Sequence, residues 1–133
     1  MDLSKLDLGK MAETGTELQV RHPVTDEVLT DDAKGEPMTI TVLGADSPTF
    51  KRAVSDIAQA SQGRKKVSAA EIERNTVNAL ARATLGWSGN WTWDGKPFPY
   101  SDENCRKLYA ERPWLRTQVD EFIADRSRFF KKA

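Results

Sequence analysis

The segment MTITVLGADSP, from Met38 to Pro48, holds the end of one regular element and the start of another. Its first half alternates polar and apolar side chains and is rich in β-branched residues, which predicts a strand over residues 38–43 that stops at Gly44. Its second half ends in Ser47-Pro48, where a capping hydroxyl precedes proline at the first helical position. The segment therefore predicts a strand that leads through a short turn into a helix.

Upstream of this segment the sequence predicts further strands. Residues 17–22 alternate polar and apolar side chains, and residues 27–30 continue the pattern after a turn. With residues 38–43 they predict a small antiparallel sheet of two or three strands within 17–44, which needs a helix packed on one face. Residues 1–16, interrupted by two glycines, are expected to be a flexible N-terminal arm.

Downstream, residues 47–130 predict about four helices. Ser68 and Glu71 form a capping box, and Gly86 stands where the C-cap of that helix is expected. Ser101 begins a short helix, and Pro113 opens the last one. The side chains at helical spacing in this last helix are Leu115, Val119, Phe122, Ile123, Arg126, Phe129 and Phe130. We therefore predict a single α+β domain over 17–130, with a small N-terminal antiparallel sheet followed by the helices.

The composition limits the kind of partner. Twenty basic residues balance twenty acidic ones among 133, so the formal net charge is +0. Nucleic-acid binding normally needs a surplus of lysine and arginine, and we expect no nucleic-acid partner. A neutral chain lacks charge repulsion, which favours self-association into a homo-oligomer. The absence of an apolar run of membrane-spanning length predicts no membrane partner, and the single cysteine fits a reducing cytoplasm.

Catalysis is not expected from these residues. His22 is the only histidine and Cys105 the only cysteine, so a nucleophile has one imidazole at most as its base. The turn at Asp94-Gly95 lacks the alternating oxygen ligands of a calcium loop, and a glycine-rich phosphate cradle is missing. We predict a protein that is not an enzyme and that holds neither a metal nor a cofactor.

Residues 86–100, GWSGNWTWDGKPFPY, form a tryptophan-rich turn. Base stacking by these rings would call for interleaved basic residues, and Lys96 is the only one present. Most of the rings are expected to fold back and seal the core between the helices. A protein-binding surface remains open for some of them, because tryptophan and tyrosine are favoured interface anchors.

The same segments resemble a known family, the tail assembly chaperones of long-tailed bacteriophages. The similar stretches are 85–104, with its GW, DG and PFPYSDEN sequences, and 113–123, PWLRTQVDEFI. Residues 44–50 also resemble the strand-to-helix junction of that family, and 21–23 its opening strand. The resemblance covers most of 17–130.

This resemblance implies a function in tail assembly of a siphophage or prophage, within the host cytoplasm. Such a chaperone coats the tape measure protein, keeps its long helices soluble and brings subunits of the major tail protein to it. As residues that bind these clients we predict Trp91, Trp93, Trp114, Phe129 and Phe130. Two alternatives remain: a structural virion component, such as a tail terminator, connector or minor tail protein, and a host-directed regulatory binding protein.

Overall fold

The structure, a computed structural model, describes residues 2–63 and 66–130, so Met1 of the predicted arm and residues 64–65 lie outside it. Over the described residues the chain forms five α-helices and a small antiparallel sheet, which confirms the α+β fold class. The helices are α1 (Leu8–Glu13), α2 (Pro48–Ala60), α3 (Ala69–Arg82), α4 (Asp102–Glu111) and α5 (Pro113–Ala124). The strands are β1 (Thr16–Gln19), β2 (Thr39–Val42), β3 (Thr84–Trp87), β4 (Thr92–Trp93) and β5 (Lys96–Pro97), and 3₁₀ helices cover Leu3–Leu6 and Arg126–Arg128.

Strand β2 is the centre of the sheet, which has the order β1-β2-β3 with antiparallel neighbours. The side chains of Ile40 and Val42 are fully buried, and Leu18 of β1 lies opposite Ile40. Alternation along β2 leaves Thr39 and Thr41 half-buried on the other face. The core therefore lies on one side of the sheet, where α3, α4 and α5 supply most of the facing side chains.

The third strand differs from the prediction. Residues 27–30 form isolated bridges with residues 21 and 37, and the sheet takes β3 from beyond α3 instead. Gly86, predicted as the C-cap of α3, lies inside β3 opposite Thr41, while Ala83 is the C-cap. The β4–β5 hairpin lies within the turn predicted at 86–100, whereas a strand at the position of β3 was not predicted.

The predicted helix starts are confirmed. The hydroxyls of Ser47, Ser68 and Ser101 accept hydrogen bonds from backbone N–H groups three residues ahead, at 3.1, 3.1 and 3.0 Å. Each hydroxyl satisfies one of the amides that a first helical turn leaves without a partner. The turn predicted at Asp94-Gly95 is also present, with positive φ at both residues, and it closes the β4–β5 hairpin.

The expectation that residues 1–16 lack a regular element is wrong. Helix α1 runs through Gly9, and Ala12 on it is buried. Glu13 accepts hydrogen bonds from the backbone N–H and the hydroxyl of Thr49, both at 2.9 Å, which fixes the end of α1 to the start of α2. A glycine within a helix weakens it by about 1 kcal/mol, and these tertiary contacts outweigh that cost here.

The last helix is shorter than predicted. Helix α5 ends at Ala124, since Asp125 takes an extended conformation with ψ of 98°. A 3₁₀ turn follows and returns the chain to the core, where Phe129 is 2% exposed. Leu115, Val119 and Ile123 form the buried stripe of α5 as predicted, but Phe129 and Phe130 are not part of that helix.

Gly44 lies where three parts of the chain meet. Its N–H donates to the carbonyl of Ala12, and a Cβ built on it would lie 2.8 Å from the Cβ of Ala12. The same Cβ would lie 3.0 Å from the ring of Phe129. Glycine is needed here for space, because backbone and ring approach more closely than any side chain permits.

Replacing Gly44 with alanine is therefore expected to lower the free energy of unfolding by about 1–3 kcal/mol through overpacking. The matched control is Gly86→Ala, where the added Cβ would meet open space among the described residues, and the change should stay within about 0.5 kcal/mol. Urea unfolding followed by tryptophan fluorescence measures both variants. Equal stability of the two would contradict the crowded junction.

Candidate protein-binding surfaces

The tryptophan-rich turn is an aromatic cluster centred on Trp87. Its ring stacks on Trp91 at 5.1 Å and on Phe98 at 5.4 Å between centroids, and meets Tyr100 edge-on at 5.1 Å. The Trp87 indole N–H donates to the carbonyl of Phe98 at 2.9 Å, and the Tyr100 hydroxyl donates to the carbonyl of Thr84 at 2.9 Å. The rings thus pack on each other and on the sheet, as predicted for most of them.

Trp91 belongs to this packed cluster and not to the free surface. It is 5% exposed, and its indole N–H donates to the hydroxyl of Ser88 at 3.1 Å. A side chain so covered cannot anchor a partner unless the domain opens. This corrects the prediction of Trp91 as a binding residue.

Trp93, on β4, is half-buried against α4. Its ring lies 5.1 Å from Phe98, and two cations lie over it: Lys107 Nζ at 4.8 Å and Arg112 Cζ at 4.3 Å from the ring centroid. These cation–π contacts attach the β4–β5 hairpin to α4. Trp93 remains partly exposed, and the side chains beside it, Lys107 and Arg112, are basic.

The two C-terminal phenylalanines lie in different environments. Phe129 packs edge-on against Phe122 with centroids 5.6 Å apart, and it is buried beside Gly44. Its burial removes Phe129 from the predicted binding set. Phe130 is 40% exposed and remains available.

Trp114 lines a groove of about 590 Å³ between β1 and α5, hereafter the β1–α5 groove. Leu18 and Phe122 supply further apolar lining, and Glu121 and Asp26 supply carboxylates. One residue bridges the two walls: the Gln118 side-chain oxygen accepts from the Arg21 N–H at 3.0 Å, and its amide donates to the Arg21 carbonyl at 2.7 Å. A side-chain amide thus takes the place that a neighbouring strand would have.

The neighbouring helices α2 and α3 also carry exposed apolar side chains, and this set is hereafter the α2–α3 face. Phe50, Val54 and Ile57 recur at helical spacing along α2, and Ile72 lies near the start of α3. Val54 is 47% exposed and Ile72 is 55% exposed, while Ile57 is half-buried. On α2 the fully covered position is Ala53, among residues that are all described. The amphipathic pattern is real, but the fold covers it incompletely.

The single histidine and cysteine have structural partners. The imidazole Nδ1 of His22 accepts the backbone N–H groups of Val24 and Thr25, at 3.1 and 3.2 Å, and so closes a turn. Burial raises the pKa of the Cys105 thiol from 9.0 to about 11. Cys105 is packed beside Thr84 and Tyr109, whose hydroxyls lie 2.7 Å apart. A thiol held neutral in this way is a poor nucleophile.

Over residues 2–63 and 66–130, side chains that could ligate a metal do not gather into a group of three or more. The helices in that part of the chain are also too short or too polar to cross a membrane. Comparison of the chain with protein-family models, with curated proteins and with solved structures found no match.

The shifted thiol pKa gives a pH-dependent prediction. The folded protein favours the neutral thiol. The thiol's contribution to the free energy of unfolding is therefore fully present below about pH 9 and is lost as the pH rises to about 11. Over that interval the wild-type free energy of unfolding should fall by roughly 2–3 kcal/mol more than that of Cys105→Ala. Chemical unfolding at pH 8, 9, 10 and 11 measures the difference in slope.

Tyr109 also has its pKa raised, by burial and by the neighbouring Cys105, so the two proteins are compared most directly between pH 8 and about pH 10, where an ordinary tyrosine is still largely neutral. Parallel curves for the wild type and Cys105→Ala would show that the thiol is not kept neutral by the fold.

Proposed function

We propose that this protein is a phage tail assembly chaperone, which acts in the host cytoplasm by binding the tape measure protein and subunits of the major tail protein. Binding is proposed to proceed without a chemical step and without a cofactor. The resemblance of residues 85–104 and 113–123 to that family supports the proposal. The exposed apolar side chains of the α2–α3 face are the structural observation that supports it.

The α2–α3 face has the properties of a docking site for an apolar helix. Val54 and Ile72 lie on packed neighbouring helices and expose about half of their surface, 47% and 55%. Burying each of these side chains on association contributes roughly 1–2 kcal/mol to the free energy of binding. A long helical client with apolar stripes would be covered by this face in the manner of helix-in-groove recognition.

The position of α2 in the fold supports the same conclusion. Phe50, near its start, packs against the core, whereas Ile57, two turns further on, is absent from the buried core cluster among the described residues. Helix α2 therefore extends beyond the core that supports its first turns. Its far half has room to contact a second polypeptide without disturbing that core.

Co-expression with a tape measure protein from the same phage or prophage tests the proposal. The double variant Val54→Ser/Ile72→Ser should reduce the soluble, co-purifying tape measure protein by about tenfold or more, because it removes two apolar anchors. Its own free energy of unfolding should change by less than about 1 kcal/mol, since both sites are half exposed.

The matched control is Leu85→Ser, which removes an equally exposed apolar side chain, 51%, from β3 on another surface. It should leave co-purification unchanged. Equal loss in both variants, or no rescue of the tape measure protein by the wild type, would overturn the assignment. Recovery of the protein from finished particles would favour the alternative of a structural virion component.

A further inference from the structure

The outer edge of β1 offers unpaired backbone to a partner. In an antiparallel strand, alternate residues turn their N–H and C=O groups to opposite edges. Val20 donates to the carbonyl of Met38 and so faces β2, whereas Arg21 faces Gln118 on α5. The same alternation turns the peptide groups of Gln19 and Glu17 toward the outer edge of the sheet, beside the β1–α5 groove.

The groove already accommodates strand-like hydrogen bonding. The two bonds of Gln118 to the Arg21 peptide, at 3.0 and 2.7 Å, reproduce the pair that an adjacent strand would make. The Gln118 amide occupies the outward peptide groups of Arg21. Gln19 and Glu17 are exposed, and no side chain in the described part of the chain occupies their outward peptide groups in the same way. An added strand therefore has two peptide units to pair with.

The side chains of the groove define what that strand should carry. Leu18 on the β1 side and Trp114 and Phe122 on the α5 side line the groove and suit apolar side chains at alternate positions of an extended peptide. Two arginines also line the groove. Arg128 forms an ion pair with Asp125 at 3.4 Å, and the guanidinium of Arg21 donates a hydrogen bond to the carbonyl of Asp26 at 2.9 Å.

Its carboxylates define the charge of the partner. Among the described residues, the carboxylates of Asp26, Glu121 and Glu17 and the guanidinium of Arg21 have no ion-pair partner. Asp26, Glu121 and Arg21 line the groove, so these groups give it an excess of one negative charge. Complementary charge on the partner would neutralise these carboxylates.

We propose that the β1–α5 groove binds an extended peptide segment of another protein by adding it as a strand at the edge of β1, and that this segment alternates apolar and basic residues. Main-chain hydrogen bonds to Gln19 and Glu17 provide the pairing, and the apolar lining formed by Leu18, Trp114 and Phe122 receives the apolar side chains. The site is separate from the α2–α3 face and does not depend on the identity of the helical client.

The probe is an acetylated and amidated hexapeptide that alternates lysine and valine, added to the ¹⁵N-labelled full-length protein. Nuclear magnetic resonance spectra should show saturable shifts of the Gln19 amide and the Trp114 indole N–H. A second hexapeptide with N-methyl groups on alternate residues keeps the side chains but loses the pairing edge, and it should bind about tenfold more weakly or not at all. A third with glutamate in place of lysine should bind several-fold more weakly at low salt.

Two variants at one position separate backbone from side chain. Gln19→Pro removes the edge N–H and should abolish the shift of the Trp114 indole, whereas Gln19→Ala retains both peptide groups and should bind like the wild type. The N-methylated peptide tests the same bond on unaltered protein should the proline variant fail to fold.

Equal binding of the methylated and unmethylated peptides would overturn the proposed strand pairing. Shifts confined to surfaces other than the groove, or no shift at millimolar peptide, would overturn the site itself. Binding of the glutamate peptide as tightly as the lysine peptide would overturn the proposed chemistry of the partner.

Discussion

Three consecutive peptide groups, those of residues 43–45, connect the sheet to helices from distant parts of the chain. The N–H of Leu43 donates to the carbonyl of Ala83 at the end of α3, that of Gly44 to Ala12 of α1, and that of Ala45 to Ile123 of α5, at 2.7, 3.0 and 3.0 Å. Each acceptor belongs to a helix terminus, where carbonyls otherwise lack partners. The turn after β2 therefore caps three helices at once, and the rest of the fold depends on its geometry.

The aromatic cluster lies at the opposite end of β2, where Trp87 of β3 pairs with Ile40. The indole N–H groups of Trp87 and Trp91 and the hydroxyl of Tyr100 all have protein acceptors, so the rings can be buried without leaving a polar atom unsatisfied. Rings held in this way stabilise the fold and cannot move out to meet a client at low cost. The surfaces available to partners include aliphatic side chains on α2 and α3, the backbone edge of β1, and the partly exposed rings of Trp93, Trp114 and Phe130.

Most of the local structure could be predicted from sequence, because serine caps, proline starts and the Asp94-Gly95 turn act within a few residues. Strand β3 could not, because its pairing with β2 joins residues more than forty positions apart and its Gly86 equally fits a helix cap. The early end of α5 could not either. The apolar spacing continues through Phe129, and only the space above Gly44 shows that this ring must turn back into the core.

The difference between local patterns and long-range contacts also explains why only some of the binding residues could be predicted. Composition predicts that some aromatic rings face a partner, but it cannot tell which ones, since Trp91 and Trp114 differ in the elements folded over them. The β1–α5 groove depends on Gln118 lying ninety-seven residues from Arg21, a pairing that no local pattern contains. Gln118 also limits the groove: by occupying the Arg21 peptide it shortens the open edge to Glu17 and Gln19, and short edges resist indiscriminate strand pairing. An edge limited in this way favours a short, specific segment over self-assembly of the sheet.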